Sequence, residues 1–527
     1  MNKRTALIIT ALIVAGFLLR LWLLVVMDSH STDGIGYLST AEYMRDPSGW
    51  TEIPKRITMP FYPFLAFLLS FVTNGNIVTA GRWASMLVGL ALIPLVFLLA
   101  RKLFDEKIAI IASFLTAIDW VFIVHSTWDR ADLLFTLMTV VLAYSFWKIP
   151  WEKTVICHAL LFGLLMGLTQ LTRTNGVLYF SIFIPLWIVY AVRQKIKWTS
   201  FLLRTFLPAL IVYSLLASLP ILYLDAIHAP SQSYLGHTFL DGILSAQGDR
   251  EQQAYKLNDD ATDYVMTEQI RKFKTIDIWN LRGTLVSKYV YGWKFIASYF
   301  AESVWKYFRF SLVVIIPLLI MFFMKRKEII GWDRAGFLLL FFLPFALLLP
   351  IMHLQESFFV PLWPFFLIIL SWFIIRISDL KLLKKSGPII GLLVLIAVVA
   401  INLQHLAQIR NIESAYPNAY RLAGEYIHQI AKPGDTIMAR DNTAFFYANL
   451  RGYRPPSEPL DRVMKYLKHM GIDYFILGPV ERKERPELTK ELIDLVESGD
   501  KSFEIIRVET RGPSPIYILK YNGGDDA

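Results

Sequence analysis

The chain has 527 residues, of which 55% are hydrophobic, and its mean hydropathy is +0.46. A water-soluble protein of this length would not be so apolar, so the composition indicates a membrane protein. The formal net charge is +10, and much of the positive charge lies in short connectors between apolar runs. That pattern is typical of cytoplasmic loops and not of a nucleic-acid-binding patch, so no nucleic-acid partner is expected.

Apolar runs long enough to cross a bilayer recur along the chain and predict an all-α polytopic protein with about eleven transmembrane helices. The runs cover roughly residues 5–27, 82–100, 108–125, 133–148, 156–172, 176–192, 201–224, 308–324, 335–350, 357–375 and 388–405. A shorter run, 60–73, is expected to lie along the membrane interface. The first run is too long for the apolar part of a signal peptide, so we expect it to be retained.

Basic clusters predict which helix ends face the cytoplasm. They lie at 101–102, 193–197, 325–327 and 376–385, on the side of the amino terminus. With an odd number of crossings, the loops 28–58 and 226–307 and the carboxyl-terminal tail then lie outside the cytoplasmic (inner) membrane. The loop 226–307 is rich in aromatic residues and predicts short helices on the membrane surface.

The sequence changes character after the last apolar run. We predict a transmembrane domain over 1–406 and a small extracytoplasmic α/β domain over 407–527. In the tail, predicted strands at 435–440, 474–477 and 503–508 alternate with predicted helices at 419–431, 461–470 and 488–497. This alternation favours a partly parallel sheet. The single cysteine, Cys157, is expected to be a buried apolar residue.

Polar groups cluster where the predicted helices meet the outer surface. They are Asp33, Tyr37, Lys55 and Arg56 in the first loop, Asp129, Arg130 and Asp132 before the fourth helix, Arg173 after the fifth, and His353 and Glu356 before the tenth. Charges at the edge of the hydrocarbon tend to pair or to line a cavity. Because all four groups fall on one face, we expect one cavity that collects carboxylates, an imidazole and cations.

Such a mixture suits group transfer from a phosphate-linked donor. A carboxylate can deprotonate the acceptor, and arginine binds phosphate in bidentate fashion. Each group also has a simpler interpretation. Asp129 and Arg130 can form an ion pair at a helix start, Arg173 and Lys55 can extend to the interface, and His353 can be structural.

Five short motifs carry a family resemblance. They are 33–41 (DGIGYLSTA), 59–65 (MPFYPFL), 81–104 (from GRW to RKLF), 167–173 (GLTQLTR) and 358–364 (FFVPLWP). With this pattern the chain resembles the membrane glycosyltransferases of the GT-C fold, in the branch of the dolichyl-phosphate-mannose–protein mannosyltransferases and the lipid A aminoarabinose (ArnT-like) transferases. The similarity covers most of residues 1–375.

The resemblance implies an inverting hexosyl or pentosyl transferase that takes its sugar from a polyprenyl phosphate donor. The acceptor would be a protein, lipid or glycan. The first-loop acid, Asp33, would be the base or acceptor-positioning carboxylate, and Asp132 would be the second acid, with Asp129 as the alternative. Some members use a divalent metal such as Mg²⁺ or Mn²⁺ and others do not, and no metal ligands are assigned here.

Two positions depart from the family pattern. Gly34 follows Asp33 where many members have a second acid, and Ser357-Phe358 stands where many have an Arg-Tyr pair. The donor phosphate would then be bound by Arg130, Arg173, Lys55 or Arg56.

A transporter or flippase of lipid-linked sugars is the alternative from another class. It would show broken helices and polar residues deep in the membrane, for which Asp119 is the main candidate. A membrane scaffold whose tail binds partners is a third hypothesis.

Overall fold

The structure, a computed structural model, describes most of the chain: residues 2–28, 32–46, 48, 59–153, 155–226, 257, 260–261, 332–342, 359–378, 386–415, 418–511 and 514–523. It divides into two compact units. The transmembrane unit comprises Met1–Val25, Thr40–Ile243 and Leu285–Arg410. The C-terminal unit comprises Val26–Ser39, Leu244–Thr284 and Asn411–Ala527.

Helices make up nearly all of the described transmembrane unit. They are α1 (Lys3–Leu24), α2 (Thr32–Arg45, which begins in the C-terminal unit), α3 (Phe61–Ser70), α4 (Ile77–Leu103), α5 (Glu106–Ile118), α6 (Trp120–His125), α7 (Asp132–Lys148), α8 (Ile156–Thr172), α9 (Leu178–Arg193), α10 (Trp198–Phe201), α11 (Leu207–Ala226), α12 (Trp332–Leu340), α13 (Trp363–Ser378) and α14 (Ser386–Ala415). The predicted eighth span and the second half of the ninth lie outside the described residues.

Within the described residues, four helical stretches are long and apolar enough to cross a membrane: Lys3–Leu24, Ile77–Leu103, Trp198–Leu219 and Gly387–Ile412. The first and the last leave broad apolar faces outside the protein core, with Leu7 70% exposed and Leu393 59% exposed. Apolar faces of this size are stable only against lipid or another protein. The prediction of a polytopic helical membrane protein is confirmed, whereas the count of eleven spans stays a prediction.

Helix α8 packs closely against α11 through a small-residue motif. A methyl group on Gly163 would stand 2.3 Å from the carbonyl oxygen of Ala209, and one on Gly167 would stand 2.6 Å from a side-chain carbon of Leu216. The two glycines are four residues apart and therefore lie on one helix face. Small residues at this spacing let membrane helices approach closely, because lipid supplies no hydrophobic force between them.

Aromatic rings fill the space between α7, α8, α9 and α12. The Phe146 ring lies 5.3 Å from that of Phe183, and the Phe162 ring lies 5.1 Å from that of Trp187. The Trp151 indole N–H donates to the Phe146 carbonyl at 2.8 Å. This bond gives the buried indole the partner it needs away from water.

The C-terminal unit contains a five-stranded mixed sheet. Its strands are β1 (Thr436–Met438), β2 (Arg451–Tyr453), β3 (Tyr474–Leu477), β4 (Phe503–Glu509) and β5 (Ile516–Tyr521), in the order β2-β1-β3-β5-β4. Strand β1 is parallel to β2 and β3, while β5 is antiparallel to β3 and β4. The prediction of a small α/β fold with a partly parallel sheet is confirmed, although β2 and β5 were not predicted.

Helices cover both faces of this sheet. They are α15 (Ala419–Ile430), α16 (Asn442–Ala448), α17 (Leu460–Met470), α18 (Pro479–Glu484) and α19 (Pro486–Glu497). Alternate residues of β3 point to opposite faces, as the pleat requires: Phe475 packs in the core with Leu467, and Ile476 packs in the core with Ile427. The result is a three-layer α/β/α arrangement.

Two local predictions were wrong. Cys157 is exposed at the start of α8 and not buried, because it faces outward from an apolar helix. Asp33 lies in the first turn of helix α2 and not in a loop. The run Tyr37 to Ala41 contains buried apolar side chains, including Leu38 at 0% exposure, and their burial favours a helix over an open loop.

Candidate functional site

The turn between α6 and α7 brings several of the predicted site residues together in the transmembrane unit. Helix α6 ends at His125, and Ser126 caps it with a hydroxyl that donates to the Phe122 carbonyl at 2.5 Å. The Thr127 hydroxyl donates to the Val124 carbonyl at 2.8 Å. These bonds occupy carbonyls that a helix end leaves without partners. The chain then turns and re-enters a helix at Asp132.

Asp132 lies between two arginines. Arg130 Nε is 2.9 Å from Asp132 Oδ2, and Arg173 Nη1 forms an ion pair with Asp132 Oδ1. The side chain of Asp132 is 1% exposed, and those of Arg130 and Arg173 are 14% and 12% exposed. Asp132 is also the first residue of α7, where the helix dipole favours a negative charge.

Arg173 reaches this cluster because α8 stops one residue before it. Its backbone is extended, and the turn that follows approaches α8 closely. A methyl group on Gly176 would stand 2.7 Å from the Cα of Gln170. Only glycine can therefore pass so close to α8 at this position. The sequence GLTQLTR therefore ends in a turn that directs its arginine toward Asp132.

One further predicted residue and two aromatic side chains border the same turn. Asp129 is fully buried. The ring of Trp128 lies 5.1 Å from that of His125, and Arg130 Cζ lies 5.7 Å from the center of the Trp128 ring. A guanidinium at this distance is attracted to the face of an indole, which restricts where Arg130 can point.

His125 and Gln170 were not singled out from the sequence as site residues. Both are buried, and neither His125 Nδ1 nor Gln170 Oε1 has a hydrogen-bond partner among the described residues. Gln170 is part of the motif GLTQLTR. A polar residue in the last turn of an apolar helix was the signal in the sequence that could have identified it.

Arg20, four residues before the end of helix α1, was also not singled out from the sequence. It is fully buried, and its Nε donates to the Ser126 hydroxyl at 3.0 Å. Its Nη1 donates to the carbonyls of Gly16 at 2.9 Å and Ala117 at 3.1 Å. A charge inside a membrane helix is expensive and marks a specific role, which is the signal that the sequence offered. Here Arg20 fixes the residue at which the turn toward Asp132 begins.

The predicted third span is broken at Asp119, between α5 and α6. The Asp119 carboxylate accepts two backbone N–H groups at the start of α6, at 3.0 and 3.3 Å, and the Trp363 indole N–H at 2.9 Å. Asn402 accepts the Trp120 N–H at 2.8 Å. Protein groups thus satisfy backbone donors at this break, whereas the broken helices of secondary transporters use such groups to bind ions or substrate.

Of the remaining predicted residues, two belong to the other unit and four are not described by the structure. Asp33 is exposed and Tyr37 is buried, and both belong to the C-terminal unit. Lys55, Arg56, His353 and Glu356 fall outside the described residues. Whether Asp33 shares one cavity with Asp132 therefore stays a prediction.

The described residues contain no group of three or more His, Cys, Asp or Glu side chains that could hold a metal ion. The carboxylate of Asp132 already faces two guanidinium groups, which makes it a poor ligand for a cation. The described residues of this cluster thus do not fit a metal, and the prediction of Mg²⁺ or Mn²⁺ stays a prediction.

Comparisons with known proteins agree with this fold. Residues 58–223 match the profile of the family described as dolichyl-phosphate-mannose-protein mannosyltransferase. No curated protein sequence matches the chain.

Solved structures resemble the chain over nearly its whole length. ArnT from Cupriavidus metallidurans in the apo state is 13% identical over 97% of each chain, with a TM-score of 0.58. The same protein bound to undecaprenyl phosphate is 12% identical over 97% of each chain, with a TM-score of 0.56.

A third similar structure is the archaeal oligosaccharyltransferase AglB from Archaeoglobus fulgidus, in complex with an inhibitory peptide and a dolichol-phosphate. It is 10% identical over 90% of this chain and 70% of that one, with a TM-score of 0.51. At these identities the likeness establishes the fold alone. The protein is therefore a multi-pass membrane protein with the GT-C fold, and its residues 58–223 match the dolichyl-phosphate-mannose-protein mannosyltransferase family.

Proposed function

We propose that the protein is a glycosyltransferase that moves a sugar from a polyprenyl phosphate donor to a protein, lipid or glycan acceptor. The reaction takes place on the extracytoplasmic side of the cytoplasmic membrane, where the C-terminal unit also lies. The sugar is a hexose or a pentose. The proposal is supported by the fold, by the matched family segment and by the resemblance to an enzyme solved with undecaprenyl phosphate bound.

The observation that carries the proposal is the placement of two arginines around Asp132. Arg130 and Arg173 are mostly buried at the ends of apolar helices, and Asp132 restricts both guanidinium groups. Each guanidinium has five N–H donors in a rigid planar fork, which matches the oxygens of a phosphate. Their restricted positions lower the entropy that would be lost on binding a phosphate.

In the proposed reaction the acceptor hydroxyl attacks the anomeric carbon of the sugar. One carbon–oxygen bond forms while the bond from the anomeric carbon to the phosphate oxygen breaks, so the configuration inverts. Asp33 takes the hydroxyl proton, and the polyprenyl phosphate leaves with the bonding electrons. Arg130 and Arg173 stabilise the negative charge that develops on the leaving phosphate.

The phosphate role can be tested on the purified full-length protein with undecaprenyl phosphate as the probe. Arg173→Gln should weaken its binding by about tenfold or more in native mass spectrometry, because a charge-assisted contact is lost. Arg101→Gln is the matched control, since Arg101 is an exposed arginine at the end of α4. If the Arg173→Gln and control variants bind undecaprenyl phosphate equally well, Arg173 does not bind the donor phosphate.

The role of Asp33 requires a transfer assay. Purified protein is incubated with a panel of undecaprenyl phosphate sugars and membrane acceptors, and transfer products are followed by mass spectrometry. Asp33→Asn should abolish transfer, whereas Glu42→Gln should keep it, because Glu42 is a half-exposed acid of the same helix that pairs with Arg45. Transfer by Asp33→Asn at the wild-type rate would exclude Asp33 as the base.

A further inference from the structure

Within the C-terminal unit, a clasp between Asp28 and Arg421 joins the segment that follows helix α1 to the start of helix α15. Arg421 Nε donates to Asp28 Oδ2 at 3.1 Å and Arg421 Nη2 donates to the same oxygen at 3.0 Å. The backbone N–H of Asn418 also donates to that oxygen, at 3.1 Å. One carboxylate oxygen thus accepts three hydrogen bonds from the start of helix α15.

Contacts with α15 and α16 also restrict the side chain of Arg421. Its Nη1 donates to Glu425 Oε1, one turn further along α15, at 2.6 Å. Its guanidinium carbon lies 6.0 Å from the center of the Tyr447 ring in α16. A long side chain that is already restricted in this way loses less entropy when it forms one more ion pair.

Asp28 is close to Asp33 in the sequence, and both belong to the C-terminal unit. Helix α1 ends at Leu24, and Asp33 lies only five residues beyond Asp28, in the first turn of α2. Met27, next to Asp28, is 3% exposed and is therefore packed within the protein. The segment Val26–Ser39 belongs to the C-terminal unit although it directly follows a membrane helix.

We propose that Asp28 and Arg421 are positioning residues, through which the C-terminal fold sets the place of the proposed catalytic acid Asp33. This inference rests on the proposed function only for the role of Asp33. It assigns the C-terminal unit a part in the transfer reaction itself, in place of the partner-binding scaffold that the sequence also allowed.

The clasp is tested first by hydrogen–deuterium exchange of the full chain in detergent. Arg421→Gln and Asp28→Asn should each speed amide exchange in residues 26–39 by about ten- to a hundredfold, since hydrogen bonds between charged groups are lost. Arg507→Gln is the matched control, because it removes an arginine of the same unit whose acid partner, Glu509, lies outside segment 26–39. Exchange in 26–39 that rises equally in the control, or in none of the variants, overturns the clasp.

The positioning role is tested by transfer and by donor binding in the same variants. Arg421→Gln should lower the maximal transfer rate by about tenfold or more while the affinity for undecaprenyl phosphate stays unchanged. The charge-swapped variant Asp28→Arg/Arg421→Asp should recover part of the rate, which a merely structural contribution of either residue would not produce. A full transfer rate in a variant whose segment exchanges faster overturns the positioning role.

Failure of this inference and failure of the proposed function are distinguishable. If Asp33→Asn transfers sugar normally, the proposed function of Asp33 is overturned whatever the exchange experiment gives. If Asp33→Asn is inactive and Arg421→Gln is fully active, only the positioning role is overturned.

Discussion

Replacing Gly89 by alanine should break the contact through which Arg20 holds the start of the site turn. Gly89 lies in α4, and a methyl group there would stand 2.1 Å from Ser126 Oγ. It would also stand 3.0 Å from a side-chain carbon of Leu133 and 3.1 Å from Arg20 Nε. Ser126 has little freedom to yield, because its hydroxyl accepts from Arg20 Nε at 3.0 Å and donates to the Phe122 carbonyl at 2.5 Å.

The expected loss of stability combines three effects. Loss of the hydrogen bond between Ser126 and the buried Arg20 guanidinium costs about 1.5–3 kcal/mol. Overpacking by one methyl group in a filled site costs about 1–3 kcal/mol. Alanine in place of a helical glycine offsets about 0.5–1 kcal/mol of this. We therefore expect Gly89→Ala to lower the free energy of unfolding by about 2–5 kcal/mol.

The free energy of unfolding can be measured by SDS titration of the protein in mixed micelles, followed by circular dichroism. The control is Gly336→Ala, because a methyl group on that helical glycine meets nothing within 4 Å. In a Ser126→Ala background the hydroxyl is absent. Adding Gly89→Ala should then lower the free energy of unfolding by less than about 1 kcal/mol. A Gly89→Ala variant as stable as the control, or additive effects in the double variant, would refute this reasoning.

Three other predictions concern buried carboxylates and their partners. Asp132→Asn removes the negative charge between two buried guanidinium groups and should destabilise the protein by about 3–5 kcal/mol in the same titration, and a loss below 1 kcal/mol would contradict it. Trp363→Phe removes the indole donor of the buried Asp119 and should cost about 1–3 kcal/mol, whereas an unchanged unfolding midpoint would show that this donor is dispensable. In the C-terminal fold, hydrogen bonds from Arg511 lower the pKa of Glu509 to about 2, so this carboxylate stabilises the fold above pH 4.5 and the contribution is lost as the pH falls from 4.5 to 2. Glu509→Gln should therefore flatten the decline of thermal stability over that pH range, and an equally steep decline would exclude this ion pair as its cause.

The end of a membrane helix was easier to predict than a break inside one. The predicted span 133–148 closely matches Asp132–Lys148, because hydrophobicity changes abruptly at both ends. The predicted span 108–125 instead contains the break at Asp119. One aspartate in an apolar run does not reveal that its carboxylate will cap the next helix, since the indole donor of Asp119, Trp363, is distant in the chain.

At the candidate site, too, local sequence indicated some residues but missed one whose partner is distant in the chain. Local sequence indicated Asp129, Arg130, Asp132 and Arg173, because charges beside apolar runs stand out. Arg20 was overlooked, since its partner Ser126 lies 106 residues away and an arginine near the end of a helix has the common alternative of extending to the interface.

The composition and the spacing of apolar runs by themselves determined that this is a helical membrane protein with a small α/β tail, because burial in lipid constrains every residue of a span. Local sequence could not determine which charges pair. The Arg130–Asp132–Arg173 cluster and the Asp28–Arg421 clasp each depend on a turn or helix start that brings distant residues within 4 Å. Only the tertiary structure decides such pairings, because folding sets which charges approach each other, and a charge that is moved out of water needs a partner.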